Sequence, residues 1–277
     1  MKLLVTGANG LLGPYLVKSL KSKHTVLETS RKNAVLPCDL TDKEQVKTLL
    51  AQTNPDAVIN LAAYTDVDGC ENDPAKAMAF NAGIPENLAA AMTPDHYFIQ
   101  ISTDQVYGDK SPHKEADVSP LNIYGQSKYE GELRALAHGN TTVLRVNMFG
   151  HSKTPGRTSL SDFYIDSFTQ KKKITIFQDV FFSPLSFPTL SGIIGQILDK
   201  KLHGIFNVGS QDGMSKLDFA LLIARHKGLD TSNATVINSS DIPARARRPK
   251  DMRMDVSRLE NALNISMPTL LDEVKTL

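Results

Sequence analysis

Tyr124-Gly125-Gln126-Ser127-Lys128 holds two residue types at a spacing that could do chemistry. A free phenol, with a pKa of about 10, is a poor acid or base at neutral pH. A nearby ammonium favours the phenolate and lowers that value. The stretch opens a helix, and the four-residue offset puts Tyr124 and Lys128 on one face. Such a pair can pass a proton to an alkoxide as hydride reaches a carbonyl carbon. YxxxK also arises by chance in many helices, so the pair needs support elsewhere in the chain. Ser102 and Thr103 provide some, because they close an apolar run at 97–101 that reads as a strand, followed by Asp104 and Gln105. The carboxyl end of a central strand is where open α/β sheets place their ligands.

Further support comes from the N-terminus. An apolar run at 3–5 passes into Gly7-Ala8-Asn9-Gly10-Leu11-Leu12-Gly13, and a helical pattern begins at once. In a strand, glycine turn and helix of this kind, Gly7 permits φ > 0, Gly10 lets backbone approach a pyrophosphate, and Gly13 allows close helix–strand packing. Unpaired amides and the helix dipole would attract the phosphates. Glycines at a strand end can also serve a turn alone, but the context favours a dinucleotide. A second strand at 24–29 ends in Ser30-Arg31-Lys32, where a hydroxyl and a guanidinium suit a 2′-phosphate better than an acid would. NADPH is therefore expected in preference to NADH, against the plainer reading of a solvated basic turn. A third strand at 34–38 leads to Asp39 and Leu40, and Asp39 could accept from the adenine amine. Thr41 and Glu44 read as a capping box. A fourth strand at 57–63 ends in Ala62, Ala63 and Tyr64, where small residues would admit the ribose. Residues 74–92 read as helical apart from Gly83 and Pro85.

From residue 150 the strand–helix alternation loosens. A polar loop at 151–158 precedes helices at 159–170, 189–200 and 215–227, strands at 174–177 and 205–208, and an extended apolar connection at 180–188. The expected class is α/β, a Rossmann-type doubly wound parallel sheet with a smaller C-terminal substrate-binding lobe. Residues 1–150 would form the NAD(P)-binding domain, with a later strand returning near 174–210, and 151–277 would be mainly the substrate lobe. A small ligand would sit in the cleft between them.

Composition narrows the partners. Thirty-one basic residues against 30 acidic ones leave a net charge of +1, so no field recruits nucleic acid or an anionic membrane. No apolar stretch is long enough to span a bilayer and the N-terminal apolar run is too short for a signal peptide, which predicts a soluble cytoplasmic protein. Cys38 and Cys70 stand apart, as reduced thiols do. The seven histidines show no metal-ligand spacing, so no metal is expected. Lysines 171–173 read as a solvated turn. Residues 244–253 carry Arg245, Arg247, Arg248, Lys250 and Arg253 against one acid, Asp251; guanidiniums suit a diphosphate, and a basic surface loop is the alternative.

These motifs resemble the extended short-chain dehydrogenases, most closely the dTDP-4-dehydrorhamnose reductase (RmlD-like) family. The matching stretches are GANGLLG at 7–13, NLAAYTDVDGCE at 60–71, STDQVYG at 102–108, YGQSKYEGE at 124–132, LRVNMFG at 144–150 and RRPKDMRMDVSRL at 247–259. By that resemblance Thr103, Tyr124 and Lys128 form a catalytic triad. Thr103 would hydrogen-bond the substrate carbonyl, Tyr124 would donate the proton, and Lys128 would hold the nicotinamide ribose. Ser102 would join the cofactor contacts, and Asp104, Gln105, Asn147, Met148 and Arg248 the substrate contacts. The resemblance implies an NADPH-dependent reductase of a nucleotide-linked 4-keto-6-deoxy sugar, for which a homodimer is compatible. Related dehydratases carry Asp-Glu where this chain has Asp104-Gln105, and an amide cannot abstract a proton. Two alternatives share the tyrosine and lysine: a nucleotide-sugar epimerase, and a non-catalytic NADP-binding subunit like that of methionine adenosyltransferase. The family's tryptophan after the sixth strand is missing, since the chain has none. Met148 or Phe149 stands in that region, so the resemblance reaches the class of sugar and stops short of the rhamnose precursor.

Overall fold

A computed structural model describes residues 1–31, 35–242 and 246–277. Lys32, residue 34 of the third expected strand and Arg245 lie outside the described residues.

Short apolar runs build the sheet. Strands β1 (Lys2–Thr6), β2 (Thr25–Ser30), β3 (Leu36–Pro37), β4 (Ala57–Asn60), β5 (Tyr97–Thr103) and β6 (Thr141–Val146) are followed by β7 (Met148–Phe149), β8 (Ile174–Phe177), β9 (Phe181–Phe182), β10 (Leu185–Ser186) and β11 (Gly204–Val208). Seven of them form one parallel sheet in the order β11-β6-β5-β4-β1-β2-β3. The order reverses between β1 and β4, which makes the carboxyl ends of β1, β4 and β5 the ligand edge of a doubly wound fold.

Alternation along each strand sends side chains to two different cores. Leu3 and Val5 pack with helix α1 (Gly13–Leu20), whereas Leu4 between them packs with Val46, Leu49 and Leu50 of α2 (Lys43–Thr53). All three strand residues are fully buried, so the strand reads as a continuous apolar run. Short helices α3 (Val67–Asn72) and α4 (Pro74–Met78) lead to α5 (Ile84–Ala91), which joins α2 on its face of the sheet, with Ala135 of α6 (Ile123–Leu136) in the same core. A further core lies beyond β6. There Phe219 meets Phe149 and Phe182 with ring centroids 4.9 and 5.2 Å apart. Helix α7 (Leu160–Thr169) lends it Tyr164 and Phe168, while α8 (Phe187–Lys200) packs with α1 on the sheet. Beyond β12 (Met214–Ser215), α9 (Lys216–Lys227) carries Phe219 itself.

Several local expectations change. Asp42, not Thr41, caps α2 by accepting from the Glu44 and Gln45 amides. The Thr41 hydroxyl instead donates to Asp39 Oδ1 at 2.7 Å, because the chain is still turning there. Gly83 and Pro85 do not interrupt their helix. A π turn at Ala79–Gly83 widens the backbone just before Pro85, which then falls in the first turn of α5, where its missing N–H is harmless. Strand β8 does not return to the main sheet but pairs in parallel with β13 (Ala234–Ile237); of the 174–210 stretch only β11 joins, beside β6. The connection at 180–188 resolves into β9 and β10, paired with β12 and β7. Among the described residues no helix is long and apolar enough to cross a membrane.

Candidate active site

Helix α6 is set against the end of β5 by its glycines. A Cβ on Gly125 would lie 2.2 Å from the Gln105 carbonyl oxygen, and one on Gly131 2.0 Å from that of Asn81. Asn122 caps the helix: its Oδ1 accepts from Gly125 N at 2.7 Å, and its Nδ2 donates to Gln105 Oε1 at 3.1 Å and Arg247 O at 2.8 Å. Tyr124 and Lys128 are thereby buried next to Thr103, itself buried. The Thr103 side chain faces the Tyr124 phenol, and its hydroxyl donates to Asp104 Oδ1 at 3.1 Å and accepts from Gln105 N at 3.2 Å. Lys128 Nζ donates to the Ile101 carbonyl at 2.6 Å.

Burial dominates the electrostatics here. It pushes the Tyr124 phenol up, with Asp104 and Cys70 adding to the rise and Thr103 opposing it. The expectation that Lys128 would lower that phenol is reversed, because loss of water outweighs the cation, whose ammonium is turned to Ile101 O. Lys128 is itself pulled down to about 8 by burial, against the pull of Glu132. Asp104 is pushed up to about 6 by burial although Asn147, Thr103 and Lys216 favour its ionised form; Asn147 Nδ2 donates to it at 2.5 Å.

Ser102 points elsewhere. Neighbouring strand residues face opposite sides, and its hydroxyl donates to Glu132 Oε1 at 2.5 Å rather than facing a cofactor. Glu132 in turn holds Arg145 through Nε and Nη2, both side chains fully buried, and Arg145 also donates to the Tyr107 hydroxyl at 2.9 Å.

A cavity of about 390 Å³ runs along the ligand edge. The glycine turn lines it with Gly7 and residues 9–13, joined by Ser30, Arg31, Asp39, Leu40, Ala62 and Ala63. Gly7 has φ +65°, and a Cβ there would lie 2.7 Å from Ala62 N; one on Gly13 would lie 1.9 Å from Ala8 O. Gly10 donates its own amide to Gly7 O, leaving its Cα side open to the cavity's contents. No side chain caps α1, and no acid sits in its first turn. An uncapped helix end in a glycine cradle fits the phosphates of a dinucleotide. Asn9 Nδ2 donates to Ser30 Oγ at 2.8 Å, and the Arg31 guanidinium lies 5.7 Å from the Phe80 ring centre. Tyr64 is absent from the wall: its amide donates to Asn81 Oδ1 and its ring lies under Lys76 Nζ at 4.4 Å, while Thr65 takes the cavity side. Met148 and Ile101 line it too. Phe80, Ile84 and Arg157 also line it. They come from a helix interior and a distant loop, where no local motif marks them.

A second cavity, about 280 Å³, lies under the closing segment and is lined by Gln105, Lys216, Arg247, Arg248, Lys250 and Phe177 among others. The basic stretch is not the unopposed cation cluster that its local composition suggests. Arg248 grips Asp68 with both terminal nitrogens, at 3.0 and 2.8 Å, Arg247 meets Asp109 at 3.0 Å and Lys250 meets Asp179 at 3.0 Å. Arg253 pairs with Asp251 at 2.6 Å. Three of these acids come from remote parts of the chain, which a count along the sequence misses. Ile101 thus borders the first cavity and Gln105 the second, with Thr103 between them on the chain.

The chain matches known proteins along its whole length. The chain is 33% identical to a probable low-salt glycan biosynthesis reductase, Agl14, of Haloferax volcanii, across 100% of this chain and 97% of that one. It is 33% identical to a dTDP-4-dehydrorhamnose reductase of Mycolicibacterium smegmatis, across 90% of this chain and 76% of the relative. The crystal structure of dTDP-4-dehydrorhamnose reductase from Bacillus anthracis in complex with NADP superimposes with a TM-score of 0.91 at 25% identity, over 99% of this chain and 97% of that one. With the RmlD substrate binding domain model matching residues 1–277 from end to end, the chain belongs to that family.

Proposed function

We propose that the chain is an NADPH-dependent reductase of a nucleotide-linked 4-keto-6-deoxy sugar. The observation that supports this reading is the burial of Tyr124 against Thr103, with Lys128 on the Ile101 carbonyl, at the strand end whose Ile101 lines the glycine-turn cavity and whose following Gln105 lines the second one. Relatives that are reductases of such sugars, one of them solved with NADP, support it. A bound reduced nicotinamide would supply hydride to the keto carbon. Thr103 orients the carbonyl oxygen, and Tyr124, kept protonated by burial, delivers its phenolic proton to that oxygen. Lys128 holds the nicotinamide ribose. Ser30 and Arg31 face the 2′-phosphate, and Asp39 the adenine. Asp104, Gln105, Asn147 and Met148 bound the sugar, while residues 151–277 supply the opposite wall as a substrate lobe. Gln105 in place of a glutamate removes the base that dehydration would need. Two buried, unpaired thiols, Cys38 and Cys70, suit the cytoplasm.

Loss of reduced-nicotinamide absorbance over a panel of nucleotide-linked 4-keto-6-deoxy sugars tests this. Tyr124→Phe should cut turnover by about 10²- to 10⁴-fold while NADPH still binds. A variant that turns over like the wild type would refute the proton-donor assignment. NADPH binding by the wild type with no turnover on any sugar would instead assign a regulatory role.

A further inference from the structure

We infer that residues 151–159 form a strap across the dinucleotide phosphates, with Arg157 as the pyrophosphate's counter-ion. The inference rests on the cofactor reading above. The loop is ordered by its own bonds. Asp162 accepts from Ser152 N at 2.7 Å and His151 Nδ1 at 2.9 Å, and the Ser152 hydroxyl donates to Thr154 O at 3.1 Å. It is also fastened to the glycine turn and first helix from more than a hundred residues away. Thr154 Oγ1 donates to Gly10 O at 3.0 Å, the Tyr15 hydroxyl donates to His151 O at 3.0 Å, and Lys153 Nζ lies 3.9 Å from the centre of the Tyr15 ring. The Arg157 amide closes a turn on Thr154 O at 3.1 Å, which carries its side chain one turn on from the Gly10 contact and into the wall of the 390 Å³ cavity.

Charge placement says what the guanidinium is for. Among the described residues lining that cavity, the cations are Arg31 and Arg157. Arg31 follows β2 and sits by Phe80 with Ser30, at the adenosine end. The pyrophosphate would lie at the uncapped start of α1, where Thr154 ties the strap down. A phosphorylated dinucleotide therefore meets one guanidinium at its 2′-phosphate and the other at its pyrophosphate, with helix amides completing the second contact.

Titration calorimetry with NADPH, ADP and 2′-AMP separates the two cations. Arg157→Ala should weaken NADPH and ADP by about 10- to 100-fold and leave 2′-AMP within twofold; Arg31→Ala should weaken 2′-AMP. Thr154→Val, which keeps Arg157 but unfastens the strap, should speed NADPH dissociation several-fold in stopped flow. Arg157→Ala with NADPH affinity within twofold of wild type would overturn the inference, as would equal losses for ADP and 2′-AMP. Wild-type protein that binds none of the three would overturn the cofactor reading, and the strap with it. Arg157 is exposed on a loop, so its removal leaves the fold intact for the measurement.

Discussion

Lys128 is 3% exposed, and its ammonium is held on a backbone carbonyl, a placement that makes its charge sensitive to pH in an accessible range. With its pKa drawn down to about 8, the cation is present below that pH and lost above it. Tyr124 is pushed the other way and keeps its proton throughout. Because kcat/KM reports groups of the unliganded enzyme, it should fall about tenfold per pH unit above about pH 8. A profile flat to pH 9.5 would remove Lys128 from the mechanism. The same shift has a stability sign. Between about 8 and the unfolded value near 10.4 the unfolded chain binds the proton that the native Lys128 has released, so Lys128 makes stability rise with pH in that window.

At the scale of elements, the Glu132–Arg145 pair fastens α6 to β6 and, through Ser102, to β5. Both ions are fully buried, which makes the pair costly to break from one side. Glu132→Gln leaves Arg145 uncompensated and should lower unfolding free energy by about 3–5 kcal/mol, read in a denaturant titration. Glu132→Gln with Arg145→Met should lose less than the two single changes summed, because the stranded charge goes with its partner. Additive losses would show that the pair does not act as a unit. The glycines of α6 have the same structural logic. Gly125 and Gly131 let the helix lie against the carbonyls of Gln105 and Asn81, and that contact sets Tyr124 within reach of Thr103.

Across the whole molecule, Asp68 of α3 and Arg248 of the closing segment clasp the second cavity. Asp68 also accepts from Ala246 N at 2.8 Å. The side chains are 41% and 22% exposed, so water screens the pair and its direct worth to stability is at most about 1 kcal/mol. Its effect should fall on substrate affinity instead. Arg248→Ala and Asp68→Asn should each raise the nucleotide-sugar KM by about tenfold, and the double variant no further, since each removes the same clasp. A large effect of Arg248→Ala with none from Asp68→Asn would mean that the guanidinium touches the substrate itself.

The sequence by itself determined the parallel α/β class, the glycine turn, the strand end at Ser102-Thr103 and the one-face pairing of Tyr124 with Lys128. Each depends on a period or spacing within about a dozen residues, and backbone geometry fixes these without reference to the rest of the chain. The family resemblance already paired Thr103 with Tyr124; only the tertiary structure decided that Ser102 is taken from the cofactor, because Glu132, itself holding Arg145, claims its hydroxyl. It likewise gave the basic closing segment its acids from positions 68, 109 and 179, turned Tyr64 away from the cavity wall and brought Thr154 to Gly10, with Arg157 to the same cavity. Charge pairing and burial join residues far apart in the chain, and such pairs exist only once the sheet has brought them together.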